Sequence, residues 1–230
     1  MSGHGYCLEL GLEEYDTALR LQHSLNAARR QGIIPDTVIF LEHHPCFTVG
    51  RKGGFEHILA DDEQLNQQGI AVYETDRGGD VTYHGPGQLI CYPIIDLNDY
   101  GCDVHAYARR LEEVIIRTLK HYGITAGRKP GYPGVWVGSA KIAQEGIGVQ
   151  NWVTMHGVSL NVCPKMQHFS LIIPCGISNY GVTSMEQLLD HPVDIAAVRQ
   201  EMRRQFSEVF DLLLEDVDPE DLRRMANEAG

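Results

Sequence analysis

The chain has 230 residues, of which 43 % are hydrophobic and 22 % charged, with a formal net charge of -12. That composition supports a globular domain with a sizeable core, and no apolar run approaches the ~20 residues that span a bilayer. The acidic balance argues against general nucleic-acid binding, which needs a basic face.

In chain order, residues 6–10 read as a first strand, and residues 14–31 as a helix with apolar positions at helical spacing, stopped by Gly32. "TVIFLE" is a β-branched strand, which "CFTVG" continues or pairs with. Asp61 caps a short helix ending before Gly69. "AVYET" and "LICYPIIDL" are strands on either side of the glycine-rich segment "RGGDVTYHGPGQ". An amphipathic helix runs from Asp103 to Tyr122. Consecutive strands with glycine turns fill "GVWVGSAKIAQEGIGVQNWVTMHGVSLNV". Pro174 breaks the apolar "SLIIPCGI", and Thr183 with Glu186 predicts a capping box. A long helix is expected over residues 194–214 and a last one over 219–227. The middle strands follow one another directly, which argues against a purely parallel βαβ sheet. The expected class is α+β, a mixed or antiparallel sheet packed with helices, in one domain over residues 1–230. "MSGHGYCLEL" lacks the basic and then apolar pattern of a secretory signal. Six cysteines stand singly, with no CxxC pair, and are expected as thiols of a reducing compartment. The expected location is cytoplasmic.

Three features carry chemistry. In "RGGDVTYHGPGQ" the glycines allow close backbone approach, but two hairpin turns leave Arg77, Thr82, His84 and Gln88 unexplained together. A dinucleotide loop fits poorly, because GxGxxG is absent and no helix follows. Cys175 stands between Pro174 and Gly176, a corner that exposes a side chain; a buried inert thiol is the plainer reading. Lys141 lies among small and apolar neighbours, where desolvation would suit it to acid–base work; a solvent-facing strand lysine is the alternative. His43 and His44 near Cys46, and His156, Cys163 and His168 near Cys175, have no recognised zinc spacing. His84 or His156 as the base of a Cys-His protease remains open. Local basic pairs such as Arg51-Lys52 read first as solvated surface, with an acidic protein partner as the alternative.

Taken together these segments resemble the lipoyl(octanoyl) transferase family. "RGGDVTYHGPGQ" is similar to its signature, "LEHHPCFTVGR" to its upstream HxPxxTxGR segment, and "MHGVSLNV" to its HGxxLNV strand. "AKIA" carries the family lysine at Lys141 and "IIPCGI" the family cysteine at Cys175. The resemblance implies the catalytic-domain fold shared with biotin and lipoate protein ligases. It implies transfer of an octanoyl group from octanoyl-acyl carrier protein, through a thioester on Cys175, with Lys141 as acid and base. The acceptors would be lysines on lipoyl domains of 2-oxoacid dehydrogenases and on the glycine cleavage H protein. Substrate contacts map onto Arg77, Gly78, Gly79, Asp80, Val81, Thr82, Tyr83 and His84, onto Gln144, Glu145 and Gly146, and onto Gly157, Val158 and Ser159. At the middle segment "QEG" departs from the apolar, small residues usual there. No cofactor, metal, nucleic acid or membrane is implied. Alternative readings are an ATP-dependent lipoate protein ligase and a non-catalytic module that binds acyl carriers or lipoyl domains; the second needs neither Lys141 nor Cys175.

Overall fold

The computed structural model describes residues 3–173 and 180–227; Cys175 lies outside them. Strands β1 (Gly3–Glu13), β2 (Asp36–His43), β6 (Gln88–Ile94), β10 (Val153–Asn161), β9 (Ala140–Gln150), β8 (Tyr132–Val137) and β7 (Gly127–Lys129) form a mixed sheet, with β12 (Leu212–Asp216) beside β1 and β11 (Gly181–Val182) beside β9. The β12–β1–β2 and β11–β9 pairings are parallel and the rest of this sheet is antiparallel. A smaller sheet orders β4 (Ala71–Glu74), β3 (Cys46–Val49) and β5 (Val81–His84).

The central strand β6 is buried along its whole length, as a strand covered on both faces must be. Its alternation divides the core. Leu89 and Cys91 face helices α3 (Val104–His121) and α5 (Ile195–Phe210). Ile90, Tyr92 and Ile94 face α1 (Tyr15–Arg30) and α6 (Pro219–Asn227). A third cluster, Phe47, Val81, Tyr83, Leu65 and Phe169, packs the small sheet against α2 (Asp62–Gln68) and the turn at Met166–Leu171. This is the mixed-sheet α+β architecture expected from the sequence.

Three local expectations are corrected. "CFTV" does not extend β2: it forms β3 of the small sheet, paired with β4 and β5. The helix expected to reach residue 214 ends at Phe210. Asp211 turns left-handed (φ 51), and Leu212 and Leu214 alternate inward while Leu213 is exposed, so a strand satisfies the edge of β1 instead. The short helix α4 (Met185–Leu189) is capped by Ser184, whose hydroxyl accepts from the Gln187 N–H, rather than by Thr183. Asp61 does form a full capping box with Gln64.

The β6–β10 ladder pairs Gln88–Cys91 with Val158–Asn161, breaks there, and resumes only where the Thr154 N–H donates to the Ile95 carbonyl and Asp96 bridges Val153. Pro93 has no N–H to extend it. On β10 the backbone departs at His156 (φ 56). At Gly157 a Cβ would lie 2.3 Å from the Cys91 carbonyl oxygen, so only glycine fits the crossing. The sheet therefore opens between Tyr92 and His156, and that opening faces the small sheet.

Helix α3 tests the capping reading directly. The Asp103 carboxylate accepts from the N–H groups of His105 (2.8 Å) and Ala106 (3.0 Å). Asp103→Ala is expected to lower the urea unfolding free energy by about 1 kcal/mol with an unchanged m-value. No change in the midpoint would show that packing alone holds this helix end.

Candidate functional site

The opening holds a cavity of about 40 Å³, room for a few waters as it stands. Its wall has three parts. From the small sheet come Arg77, Gly79, Asp80, Val81, Thr82 and His84; from β9, Gln144, Glu145 and Gly146; from β6 and β10, Tyr92, His156, Gly157, Val158 and Ser159. The three segments singled out in the sequence thus converge on one hollow. Gly78 and Tyr83 do not line it. Strand alternation turns Tyr83 the other way, against Phe47, His168 and Phe169. Tyr92 was missed, because nothing in an apolar strand marks the residue beside a broken ladder. His156 stands out in the sequence as the histidine of the HGxxLNV-like strand and as a metal or protease group, not as part of the substrate wall.

Arg77 shapes the glycine loop. Its Nε and Nη2 donate to the Thr48 hydroxyl (3.2 and 2.8 Å), Nη2 also to the carbonyls of Thr48 (2.6 Å) and Asp80 (2.7 Å), and Nη1 to that of Gly78 (2.9 Å). Gly79 sits at φ 91, and a Cβ on Gly50 would come within 2.5 Å of its carbonyl oxygen. The loop is thus clamped around a buried guanidinium.

From Thr48 a buried polar chain continues inward. The His84 Nδ1 faces the Gln88 amide oxygen (2.7 Å). That oxygen only accepts, so Nδ1 carries the proton and Nε2 accepts from the Thr48 hydroxyl (3.3 Å). Burial, then the nearby His43, holds the His84 pKa well below the ordinary range, so the ring is neutral. The Gln88 amide donates to Asn161 Oδ1 (2.9 Å), and Asn161 Nδ2 donates to the Thr183 carbonyl (3.0 Å). The Thr183 N–H in turn donates to the Lys141 carbonyl (3.0 Å). The glycine loop and the candidate lysine are the two ends of one network.

Lys141 is buried, not solvent-facing, at 5 % exposure. Its ammonium lies 5.0 Å from the centre of the Trp136 ring, on the strand paired with it. Gly181 and Val182, just past the segment carrying Cys175, pair with Ala140 and Lys141. Before that segment, the Ile173 N–H donates to the His57 carbonyl (2.8 Å). Glu145 pairs with Val158, whose side chain lies in the core under α3, so its carboxyl is on the α3 side. Burial, then Glu112, pushes that carboxyl up to about 7.

His156 donates through Nε2 to Asp76 (2.7 Å), and its Nδ1 is buried at the cavity without a hydrogen-bond partner. Thr82 Oγ1 and Ser159 Oγ are likewise buried and unpartnered at the same wall. Elsewhere Cys7, Cys46 and Cys91 are buried thiols whose pKa values burial raises, that of Cys7 to about 12. Among the described residues no group of three His, Cys, Asp or Glu is placed to hold a metal ion, and no helix is long and apolar enough to cross a membrane.

Comparison with known proteins follows the same outline. The lipoyl protein ligase A/B catalytic domain matches residues 14–207. An octanoyltransferase of Caldicellulosiruptor saccharolyticus is 46 % identical over 218 residues, 94 % of this chain and 93 % of that protein. One of Solibacter usitatus is 48 % identical over 206 residues, 89 % and 93 % of the two chains. In fold the chain is similar to a crystal structure of lipoate-protein ligase A bound with ATP, with TM-score 0.77 over 98 % of this chain and 93 % of that one. At 19 % identity that likeness speaks for the fold alone.

The buried histidines predict acid sensitivity. His43 donates from Nδ1 to the Glu13 carbonyl and accepts at Nε2 from the Tyr92 hydroxyl, and burial lowers its pKa to about 4. Above pH 6.5 both folded and unfolded states are neutral there. Between 6.5 and about 4 only the unfolded chain takes the proton, so stability falls with pH, by roughly 3 kcal/mol from this group. Urea midpoints measured across that window should fall, and fall less in His43→Asn. An equal slope in the variant would assign the loss elsewhere.

Proposed function

The chain belongs to the lipoyl protein ligase A/B catalytic-domain family, and we propose that this acyltransferase moves an octanoyl group from octanoyl-acyl carrier protein to the lysine of lipoyl domains. The acceptors are the lipoyl domains of 2-oxoacid dehydrogenases and the glycine cleavage H protein. The observation that carries this reading is a buried lysine, Lys141, hydrogen-bonded through its backbone to the strand that follows the Cys175 segment. The likeness to octanoyltransferases at 46 and 48 % identity favours transfer over ATP-dependent ligation. The whole chain acts as one cytoplasmic domain.

In the first half-reaction Lys141 takes the Cys175 proton. The thiolate attacks the octanoyl thioester carbonyl, a new C–S bond replaces the old one, and Lys141 protonates the departing carrier thiol. In the second half the acceptor amine attacks the enzyme thioester, and the Cys175 sulfur leaves with a proton. One thioester replaces another, so no ATP is consumed. Splitting the transfer through a covalent intermediate gives ping-pong kinetics. The cavity between Thr82 and Ser159 receives the acyl chain. The clamp on Arg77 serves to hold the wall at Gly79 rigid, and Gly146 and Gly157 leave room beside it.

Two experiments test this. Intact mass after incubation with octanoyl-acyl carrier protein should rise by one octanoyl group on Cys175. Lys141→Arg should lose about 10²- to 10⁴-fold in acylation rate, because arginine keeps the charge but does not release a proton. An adduct on Cys102 or Cys163, or near-normal rates in the arginine variant, overturns the assignment. The second concerns docking. Arg51 and Lys52 are exposed on a loop whose N–H groups donate to the carbonyls of Arg77 and Gly79, although the chain as a whole is acidic. Reversing both to glutamate should raise the KM for the carrier, and salt should raise it in the wild type. Salt-independent KM values unaffected by the reversal would place docking elsewhere.

A further inference from the structure

Beside Lys141 stands a box of aromatic rings. Trp136, Tyr132 and Tyr180 meet edge to face, with centroids 5.1 to 6.1 Å apart. The box is occupied by the chain's own Lys129. Its ammonium lies 3.4 Å from the Tyr180 ring centre, 4.9 Å from that of Trp136 and 5.6 Å from that of Tyr132. Among the described residues no carboxylate is within ion-pair reach of Lys129. The rings, not an acid, hold this cation.

The location gives the box a use. The Trp136 ring carries Lys129 at 4.9 Å and Lys141 at 5.0 Å, so the caged ammonium and the candidate base lie against one indole. Tyr180 directly follows the segment that bears Cys175. On the other side a hollow of about 230 Å³ opens between Lys129, Tyr132 and the α3 residues Arg109 and Glu112. Glu145 lines it, and one carboxyl oxygen of Glu145 is buried without a hydrogen-bond partner. The hollow leads an alkylammonium chain past an acid to a ring cage, a known form of ammonium recognition.

We propose that this aromatic box is the binding site for the acceptor lysine, and that Lys129 is an internal occupant which the acceptor displaces. The inference rests on the reading of the chain as an octanoyltransferase. Exchange of one ammonium for another leaves the charge at Trp136 unchanged, so displacement carries little electrostatic cost. The amine sheds two protons in reacting. The first is given up as the amine leaves the box and reaches Lys141, neutral since it protonated the carrier thiol, and passes on to solvent, which frees the nitrogen lone pair. The second leaves as the C–N bond forms and the C–S bond breaks, and it goes to the departing sulfur.

The test uses the full-length enzyme, a lipoyl domain as acceptor, and the same domain with trimethyllysine at the acceptor position, which binds cages but accepts no acyl group. The chain has two tryptophans, Trp136 and Trp152, so a Trp152→Phe background reports on Trp136 alone. With the box emptied by Lys129→Met, the trimethyllysine domain should quench Trp136 fluorescence, and in the wild type it should compete with the acceptor. Lys129→Met should lower the acceptor KM several-fold. Tyr180→Leu should raise it by about three- to thirty-fold while the KM for the acyl donor moves far less, and Tyr180→Phe, which keeps the ring, should restore it. Acceptor KM values within twofold of wild type in both Lys129→Met and Tyr180→Leu, or no quenching by the trimethyllysine domain, overturn the cage. If the wild type itself takes no octanoyl group from its donor, the transferase reading fails instead, and quenching still decides the cage.

Discussion

Everything at this site hangs from one run of hydrogen bonds buried between the two sheets. It begins at the Arg77 guanidinium, passes through Thr48, the neutral His84, Gln88 and Asn161, and ends on the Thr183 carbonyl beside the Lys141 strand. In a low-dielectric interior each missing partner would strand a desolvated polar atom, at about 1–3 kcal/mol. The network therefore has few alternative geometries, and it fixes the small sheet against the large one. The cavity is what remains between them.

A cavity needs the sheet to stop pairing without collapsing. Pro93 withholds a donor on one strand, and the left-handed His156 with Gly157 diverts the other. The surroundings are kept in place by large buried groups, with Tyr92 tied to His43 on one side and Tyr83 packed into Phe169 on the other. Strain and loss of ladder bonds are concentrated at the place where a substrate would make up for them.

Much of this was legible in the sequence where local chemistry decides local structure. Asp61, Asp103 and Gly69 mark helix ends because a carboxylate or an absent Cβ acts within one turn. The glycine loop stands out by its own composition and Gln144–Gly146 and Gly157–Ser159 through resemblance, and their convergence on one hollow is a tertiary result. What stayed hidden depends on partners distant in the chain. "CFTV" looks like any strand, and only its neighbours assign it to the second sheet. "FDLLLED" suits a helix and a strand equally, and the vacant edge of β1 decides. The ring box draws on Lys129, Tyr132, Trp136 and Tyr180, which share no motif.

The deep placement of the Cys7, Cys46 and Cys91 thiols has a chemical outcome of its own. A thiol raised to about 12, as at Cys7, is ionised in roughly one molecule in 10⁵ at neutral pH. Peroxides and alkylating agents react with thiolates, so these sulfurs stay silent toward them as long as they remain buried. Oxidative or electrophilic damage is thereby channelled to the exposed Cys102 and to any thiol that a neighbouring base ionises. That confines oxidation and chemical labelling of the described thiols to very few atoms.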